Sequence, residues 1–270
     1  MVNDTPDRYS HGHHESVLRS HQWRTAENSA GFLLAHLAPG RDLLDVGCGP
    51  GTITTDLARR VAPARVCGID LSLDVITTAR QLQNAAGNED VLFDEGNVYD
   101  LSFADASFDV VYAHQVLQHL SDPVAALREM RRVLRVDGVL GVRDSDYGAF
   151  TWAPDDPWLD RWMQIYQQLT ARNQAVANAG RYLPTWVRRA GFDAMDVSSS
   201  TWTFHSADDR SWWGKLWADR VRESEFASQS MEYGLATREE LDSIAQAFLT
   251  WADDENGLFI VVHTEVIARR

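Results

Sequence analysis

The stretch Leu43-Leu44-Asp45-Val46-Gly47-Cys48-Gly49-Pro50-Gly51-Thr52 decides how this chain reads. Two leucines, an acid and a valine form the end of a buried strand, and the glycines at 47, 49 and 51 turn the backbone into a helix that begins near Ile53. Glycine suits such a turn because it lacks Cβ, takes positive φ and lets a ligand lie on bare backbone. The helix that follows offers unpaired N–H groups and the positive end of its dipole. Nicotinamide and flavin folds also use a glycine-rich strand-to-helix turn. Here, however, the spacing is Gly47-x-Gly49-x-Gly51 rather than G-x-G-x-x-G, and Asp45 stands two residues before the first glycine.

A second apolar strand, Val66-Cys67-Gly68-Ile69-Asp70, ends in a carboxylate about twenty residues after the loop. An acid at the tip of a neighbouring strand can accept both hydroxyls of an adenosine ribose. Together these two stretches resemble the class I S-adenosylmethionine-dependent methyltransferases, and within them the small-molecule enzymes related to ubiquinone and menaquinone biosynthesis. The resemblance covers residues 40–145 well and is only general elsewhere. It implies an α/β fold: a Rossmann-like seven-stranded sheet with an antiparallel last strand, helices on both faces and a helical cap. The expected organisation is an arm and helix covering the cofactor over 1–40, a cofactor-binding core over 41–150, and the rest of the core with cap insertions over 151–270.

The resemblance also implies S-adenosyl-L-methionine as cofactor. It lies on Asp45, Gly47, Gly49, Gly51 and Asp70, with Leu71 against the adenine face and the Val98 backbone N–H toward the ring. The relatives usually carry an acid where this chain has Asn97, and the amide oxygen can still accept from the adenine amino group. Arg24 is expected either to meet the methionine carboxylate or to form a surface ion pair.

Net charge is −14, from 25 basic and 39 acidic residues, with no long basic run. Binding to phosphate backbones needs clustered Lys and Arg, so nucleic acid and anionic membranes are disfavoured as partners. No apolar run approaches the length of a membrane span, and Met1 to Ser10 is too polar for a signal peptide, so a cytoplasmic location is expected. Cys48 and Cys67 fall on neighbouring strands and are expected to stay reduced, since cytosolic disulfides are rare.

The arm carries Tyr9, His11, His13, His14 and His21, but His11-Gly12-His13-His14 lacks a carboxylate or cysteine partner at ligand spacing, so no metal is expected. From Glu15 to Leu37 apolar residues recur at helical spacing until Pro39-Gly40 stops them, with Arg24 and Asn28 four apart on one face. After the loop come helices over Ile53 to Val61 and Leu73 to Ala86, the latter stopped by Gly87-Asn88. A strand Val91 to Phe93 follows, then a fourth strand, Phe108 to Tyr112. A helix from Pro123 through Leu134 leads, by the Asp137-Gly138 turn, to strand five, Val139 to Arg143. This alternation predicts right-handed βαβ units in a parallel sheet.

Ligands of such sheets bind beyond the carboxyl ends of the strands, where strand order reverses, which places His114, Asp144, Asp146 and Tyr147 near the transferred methyl. A sulfonium is an activated leaving group, so alignment and exclusion of water carry most of the catalysis. A base helps an acceptor that must lose a proton. His114 is the first candidate because imidazole titrates near neutrality, with a purely backbone role on the cofactor's amino group as the alternative. Asp144 is the second, with helix capping or pairing to Arg143 as its alternative. Tyr147 is expected to shape the pocket.

Eight of the ten tryptophans fall between Trp152 and Trp217. Helical stretches are expected over Pro154 to Asn178 and Pro184 to Ala190, a sixth strand over Met195 to Phe204 and a seventh over Leu258 to Ala268. Between the last two strands lies an insertion, Ala207 to Asn256, with helices near Ser211 to Glu223 and Arg238 to Asp253. It is either a cap over the acceptor pocket or an association surface for a homodimer. At least six of the eight tryptophans are expected to fill the cap core and one or two to line the pocket. The predicted function is methyl transfer to a small, partly apolar acceptor. The rivals are a protein that keeps the cofactor for a regulatory or other purpose, and a nicotinamide oxidoreductase.

Overall fold

The computed structural model describes residues 7, 10, 20, 21, 23–85 and 91–270. The arm residues Tyr9, His11, His13 and His14 and the Gly87-Asn88 stop lie outside them.

Eight strands form one sheet: β1 (Leu43–Val46), β2 (Val66–Asp70), β3 (Val91–Glu95), β4 (Phe108–His114), β5 (Leu134–Ser145), β6 (Thr151–Ala153), β7 (Ala194–Phe204) and β8 (Leu258–Arg269). From one edge the order is β3-β2-β1-β4-β5-β8. The first five strands are mutually parallel and β8 is antiparallel to β5. β7 runs the length of β8 on its other side, Ala194 opposite Arg269 and Phe204 opposite Phe259. The expected parallel sheet with an antiparallel last strand is present, with one addition. β6, to which the sequence reading assigned no element, forms because the chain turns at Tyr147–Ala149 and comes back against the start of β8, stacking Trp152 on Phe259 at 5.6 Å.

Strand alternation sorts side chains between two layers. Leu43, Val110 and Val139 face the layer holding α2 (Thr52–Val61) and α3 (Leu73–Ala85), which follow the four-residue α1 (Ala26–Ser29). Leu44, Val111 and Leu140 face α4 (Pro123–Val133) and α6 (Leu183–Arg189). A third core joins α5 (Pro157–Arg172), α7 (Ala207–Glu223), α8 (Glu225–Glu232) and α9 (Arg238–Asp253) to Trp202, Phe204, Phe259 and Val261 of β7 and β8. The insertion thus buries its own aromatic core against the sheet end, and α8 is a helix the sequence reading did not separate.

The described part of the Glu15 to Leu37 run is not one helix. Thr25 begins α1 with a reciprocal cap, its hydroxyl accepting the Asn28 N–H while Asn28 Oδ1 accepts the Thr25 N–H, and a 3-10 turn over Gly31–His36 follows. A capping residue inside a helical period ends the preceding segment, which removes Arg24 and Asn28 from a common helix face. Among the described residues, no helix is long and apolar enough to cross a membrane.

Candidate active site

β1 is flanked by β2 and β4, whose connections lead in opposite directions, so a crevice opens at the carboxyl ends of these strands. It holds a cavity of about 1120 Å³ that runs from the glycine turn to the insertion helices.

At one end the turn residues Gly47, Gly49 and Gly51 have φ of 71°, 57° and 79°, all left-handed. The turn is tied to β2: the Gly47 and Cys48 N–H groups donate to the Ile69 carbonyl at 2.7 and 2.9 Å, and Gly49 N–H to Asp70 Oδ2 at 3.1 Å. A Cβ on Gly51 would stand 2.4 Å from the Phe93 ring, whereas at Gly49 the nearest group is His21 Nδ1, 3.6 Å away. Backbone therefore faces the cavity at Gly49, and the sheet packs against it at Gly51.

The other oxygen of Asp70 accepts the Ser72 N–H at 3.1 Å, which fixes the carboxylate at the strand tip with lone pairs to spare. Asp45 is buried, accepts the Thr54 hydroxyl at 2.6 Å, and is pushed up to about 7, by burial first and by the charge of Asp70 as well. Leu71, exposed at the rim, Asn97 and Val98 line the same end, and Asn97 Oδ1 accepts the Tyr99 N–H at 2.9 Å. Both cysteines are free and buried.

Arg24 sits in the cavity wall. Its Nη2 donates to Gln115 Oε1 at 2.6 Å, and its guanidinium lies 5.5 Å from the Trp202 ring. Gln115, at φ 54°, also donates to Ser145 Oγ and contacts His263 Nε2. Sequence reasoning missed Gln115, because nothing in its neighbours signals a left-handed residue after a strand.

Of the catalytic candidates, His114 and Tyr147 line the cavity and Asp144 does not. Asp144 is buried, its Oδ1 accepts the Gln118 N–H at 3.1 Å, and it is pushed up to about 8 chiefly by burial. It supports the turn Leu117–His119, which returns beside β5. Asp146 is likewise engaged, as a bidentate partner of Arg181. His114 Nε2 lies 2.8 Å from Arg143 Nη1 and its ring is buried, which holds the imidazole well below its ordinary range. Burial is the first cause, and Arg24 and Arg143 add to it. The contact with Arg143 engages Nε2 and burial opposes the imidazolium, and both weigh against a base at this nitrogen. Arg143, a charge at the end of the buried run Val139 to Arg143, is a sequence signal that could have pointed to a polar centre here. Tyr147 stacks on Tyr166 at 3.9 Å and shapes the wall.

The other end of the cavity is aromatic: Trp23, Trp202, Trp212, Trp213 and Trp217, with Tyr147, Phe150 and Val261. Four of the eight clustered tryptophans line it, where one or two were expected. The reason is that α7 lays Trp212, Trp213 and Trp217 over the end of β7, with Trp213 stacked on Phe204 at 4.2 Å.

A glycine turn on the first strand, an acid at the tip of the second and a parallel sheet closed by an antiparallel strand define a class I methyltransferase. Residues 44–142 match the family model for a methyltransferase domain. An uncharacterised methyltransferase of Schizosaccharomyces pombe is 30% identical over 97% of this chain and 96% of its own. The 27-O-demethylrifamycin SV methyltransferase of Amycolatopsis mediterranei is 32% identical over 70% of this chain and 68% of its own. The YcgJ protein of Bacillus subtilis has the same fold, with a TM-score of 0.59 at 18% identity, over 89% of this chain and 97% of that one. The chain belongs to the class I S-adenosylmethionine-dependent methyltransferases.

Proposed function

We propose that the enzyme moves the methyl group of S-adenosylmethionine to a small, flat, largely apolar acceptor held among the tryptophans. The observation that carries this reading is the continuity of one cavity, polar and backbone-lined at one end and aromatic at the other.

The residues at the polar end suit the cofactor. Asp70 has acceptor capacity left for ribose hydroxyls, Gly49 offers bare backbone, and Gly47 and Gly51 shape the turn. Asp45 adds an acceptor beneath the amino-acid tail. Leu71, Asn97 and Val98 flank the adenine position, and Arg24, next to Gln115, supplies a cation toward the methionine carboxylate. When bound, the cofactor supplies a methyl on a sulfonium sulfur, an electrophile that needs no further activation. The protein's part is to align the acceptor with it and keep water out, and preorganised alignment of this kind can be worth about 7 to 11 kcal/mol. Tryptophan faces bind flat rings and favour a nearby cation by about 0.5 to 2 kcal/mol.

The relative named for 27-O-demethylrifamycin SV supports an oxygen acceptor. Calorimetric titration with S-adenosylhomocysteine and with NADH, followed by transfer from methyl-labelled cofactor to a panel of hydroxyarenes, tests the proposal. Tight S-adenosylhomocysteine binding and label on a hydroxyarene are expected. Binding of NADH alone would overturn it.

A further inference from the structure

We propose that His114 is a fixed hydrogen-bond donor in catalysis, its Nδ1–H holding an oxyanion of the acceptor next to the methyl group, so that the acceptor reacts as its own conjugate base. This rests on the methyltransferase reading above and adds to it the acceptor class: a flat ring bearing an ionisable hydroxyl.

The assignment follows from Arg143. A guanidinium can only donate, so the 2.8 Å contact between Arg143 Nη1 and His114 Nε2 makes Nε2 the acceptor and leaves the single proton of a neutral imidazole on Nδ1. Arg143 cannot swing away. It is 1% exposed, its Nε donates to Glu265 Oε1 at 3.3 Å and to Ser200 Oγ at 3.2 Å, and its Nη2 contacts Ser200 Oγ and His263 Nδ1 at 3.1 and 3.0 Å. Its guanidinium also lies 4.9 Å from the Trp202 ring centre. Three strands, β5, β7 and β8, thus set the tautomer of a residue on β4.

The groups around the imidazole keep it neutral. Arg143 faces it from β5, His263 from β8, Arg24 and His21 from the segment before α1, and Tyr112 stacks on it from its own strand. Glu265 accepts from Arg143 Nε, away from the Nη1 that meets His114, and is engaged by Ser198 and Ser200. The donor atom Nδ1 is buried and has no hydrogen-bond partner among the described residues, on a side chain that lines the cavity between Gln115 and Trp202. A buried donor held in one tautomer and left unmatched is what a ligand oxygen completes.

The surrounding charge favours an anion. The described carboxylates in the cavity lining are Asp7, Asp45, Asp70 and Asp122, and none belongs to β7, α7 or the Tyr147–Phe150 turn that form the aromatic end. The acceptor hydroxyl therefore loses its proton to solvent, and the His114 N–H and the arginine field stabilise the oxyanion. The oxyanion forms the new O–C bond as the methyl–sulfur bond breaks. The bonding pair stays on sulfur, so one negative and one positive charge cancel and no proton passes to the enzyme.

Two measurements test this on the full chain. Nitrogen-15 spectra of the imidazoles, with His114 assigned by its loss in His114→Asn, are expected to show a protonated Nδ1 and a bare Nε2, unchanged from about pH 6 to 8.5. A proton on Nε2, or an imidazolium titrating in that range, overturns the proposal. The second probe is 4-nitrophenol, bound to the enzyme saturated with S-adenosylhomocysteine and followed by its visible absorbance. Its acidity is expected to rise at least about tenfold on binding, a shift of about one pH unit. That shift is expected to persist in His114→Asn, whose amide N–H stands where Nδ1–H stood, and to disappear in His114→Phe. Failure to bind, binding as the neutral phenol, or the same shift in all three proteins overturns it. Loss of S-adenosylhomocysteine binding to the parent chain would instead defeat the methyltransferase reading itself, which separates the two failures.

Discussion

The carboxylate of Asp70 accepts the Gly49 N–H at 3.1 Å, so the acid at the tip of β2 also anchors the glycine turn that leaves β1. Asp70→Ala removes that anchor together with the carboxylate proposed to accept the ribose hydroxyls. Hydrogen bonds to a charged group contribute about 1.5 to 3 kcal/mol each, so S-adenosylhomocysteine affinity is expected to fall at least about tenfold by calorimetry. An unchanged dissociation constant would remove Asp70 from the cofactor site.

Gly49 and Gly51 are expected to respond differently to alanine. Both have positive φ, which costs a side chain about 1 to 2 kcal/mol. At Gly51 the added Cβ also meets the Phe93 ring at 2.4 Å, and overpacking raises the loss to about 2 to 5 kcal/mol in a denaturant titration. At Gly49 the nearest atom is 3.6 Å away, so Gly49→Ala should lose little stability beyond the backbone term but should weaken S-adenosylhomocysteine binding. Equal stability losses in the two variants would show that their surroundings do not differ as described.

Asp144 predicts a pH dependence of stability. Burial pushes its folded value up to about 8, while an unfolded aspartate titrates near 3.9. Between those values the folded chain binds a proton that the unfolded chain has released, so stability falls as pH rises, by up to about 1.4 kcal/mol per unit. Asp45, raised to about 7, acts in the same direction. Asp144→Asn keeps an oxygen for the Gln118 N–H and does not titrate. Its melting temperature relative to the parent is therefore expected to climb from pH 5 to pH 8, and a constant difference would contradict a buried protonated acid.

Trp212 is half-buried in the aromatic wall. Trp212→Ala removes apolar contact area worth about 1.5 to 3 kcal/mol if the ring covers the acceptor. KM for a flat hydroxyarene should then rise about tenfold or more, with S-adenosylhomocysteine affinity unchanged. A matching loss of cofactor affinity would place Trp212 on the cofactor instead.

The local features of the sheet and the cofactor crevice were legible because they depend on neighbours in sequence. A run such as Leu43 to Val46 buries whichever face it turns, glycines at 47, 49 and 51 permit a backbone that other residues resist, and Asp70 ends an apolar strand abruptly. The break at Thr25 was also written locally, in a threonine and an asparagine three residues apart, but the helical period around it masked the signal. The short strand β6 was not legible, since three residues beside a proline acquire strand character only from their partners on β8.

The aromatic half of the cavity and the polar cluster beside it depended on contacts that no window of sequence contains. Arg24 meets Gln115 across 91 residues, and Arg143 meets His263 across 120. By itself the sequence determined a class I methyltransferase core, with its glycine turn and the acid that ends the second strand, because backbone permission and strand periodicity are properties of adjacent residues. Only the tertiary structure decided that four of the clustered tryptophans line the cavity, that Asp144 accepts the Gln118 N–H, and that His114 Nε2 meets Arg143. A hydrogen-bond donor fixes a tautomer only when the fold brings its strand alongside.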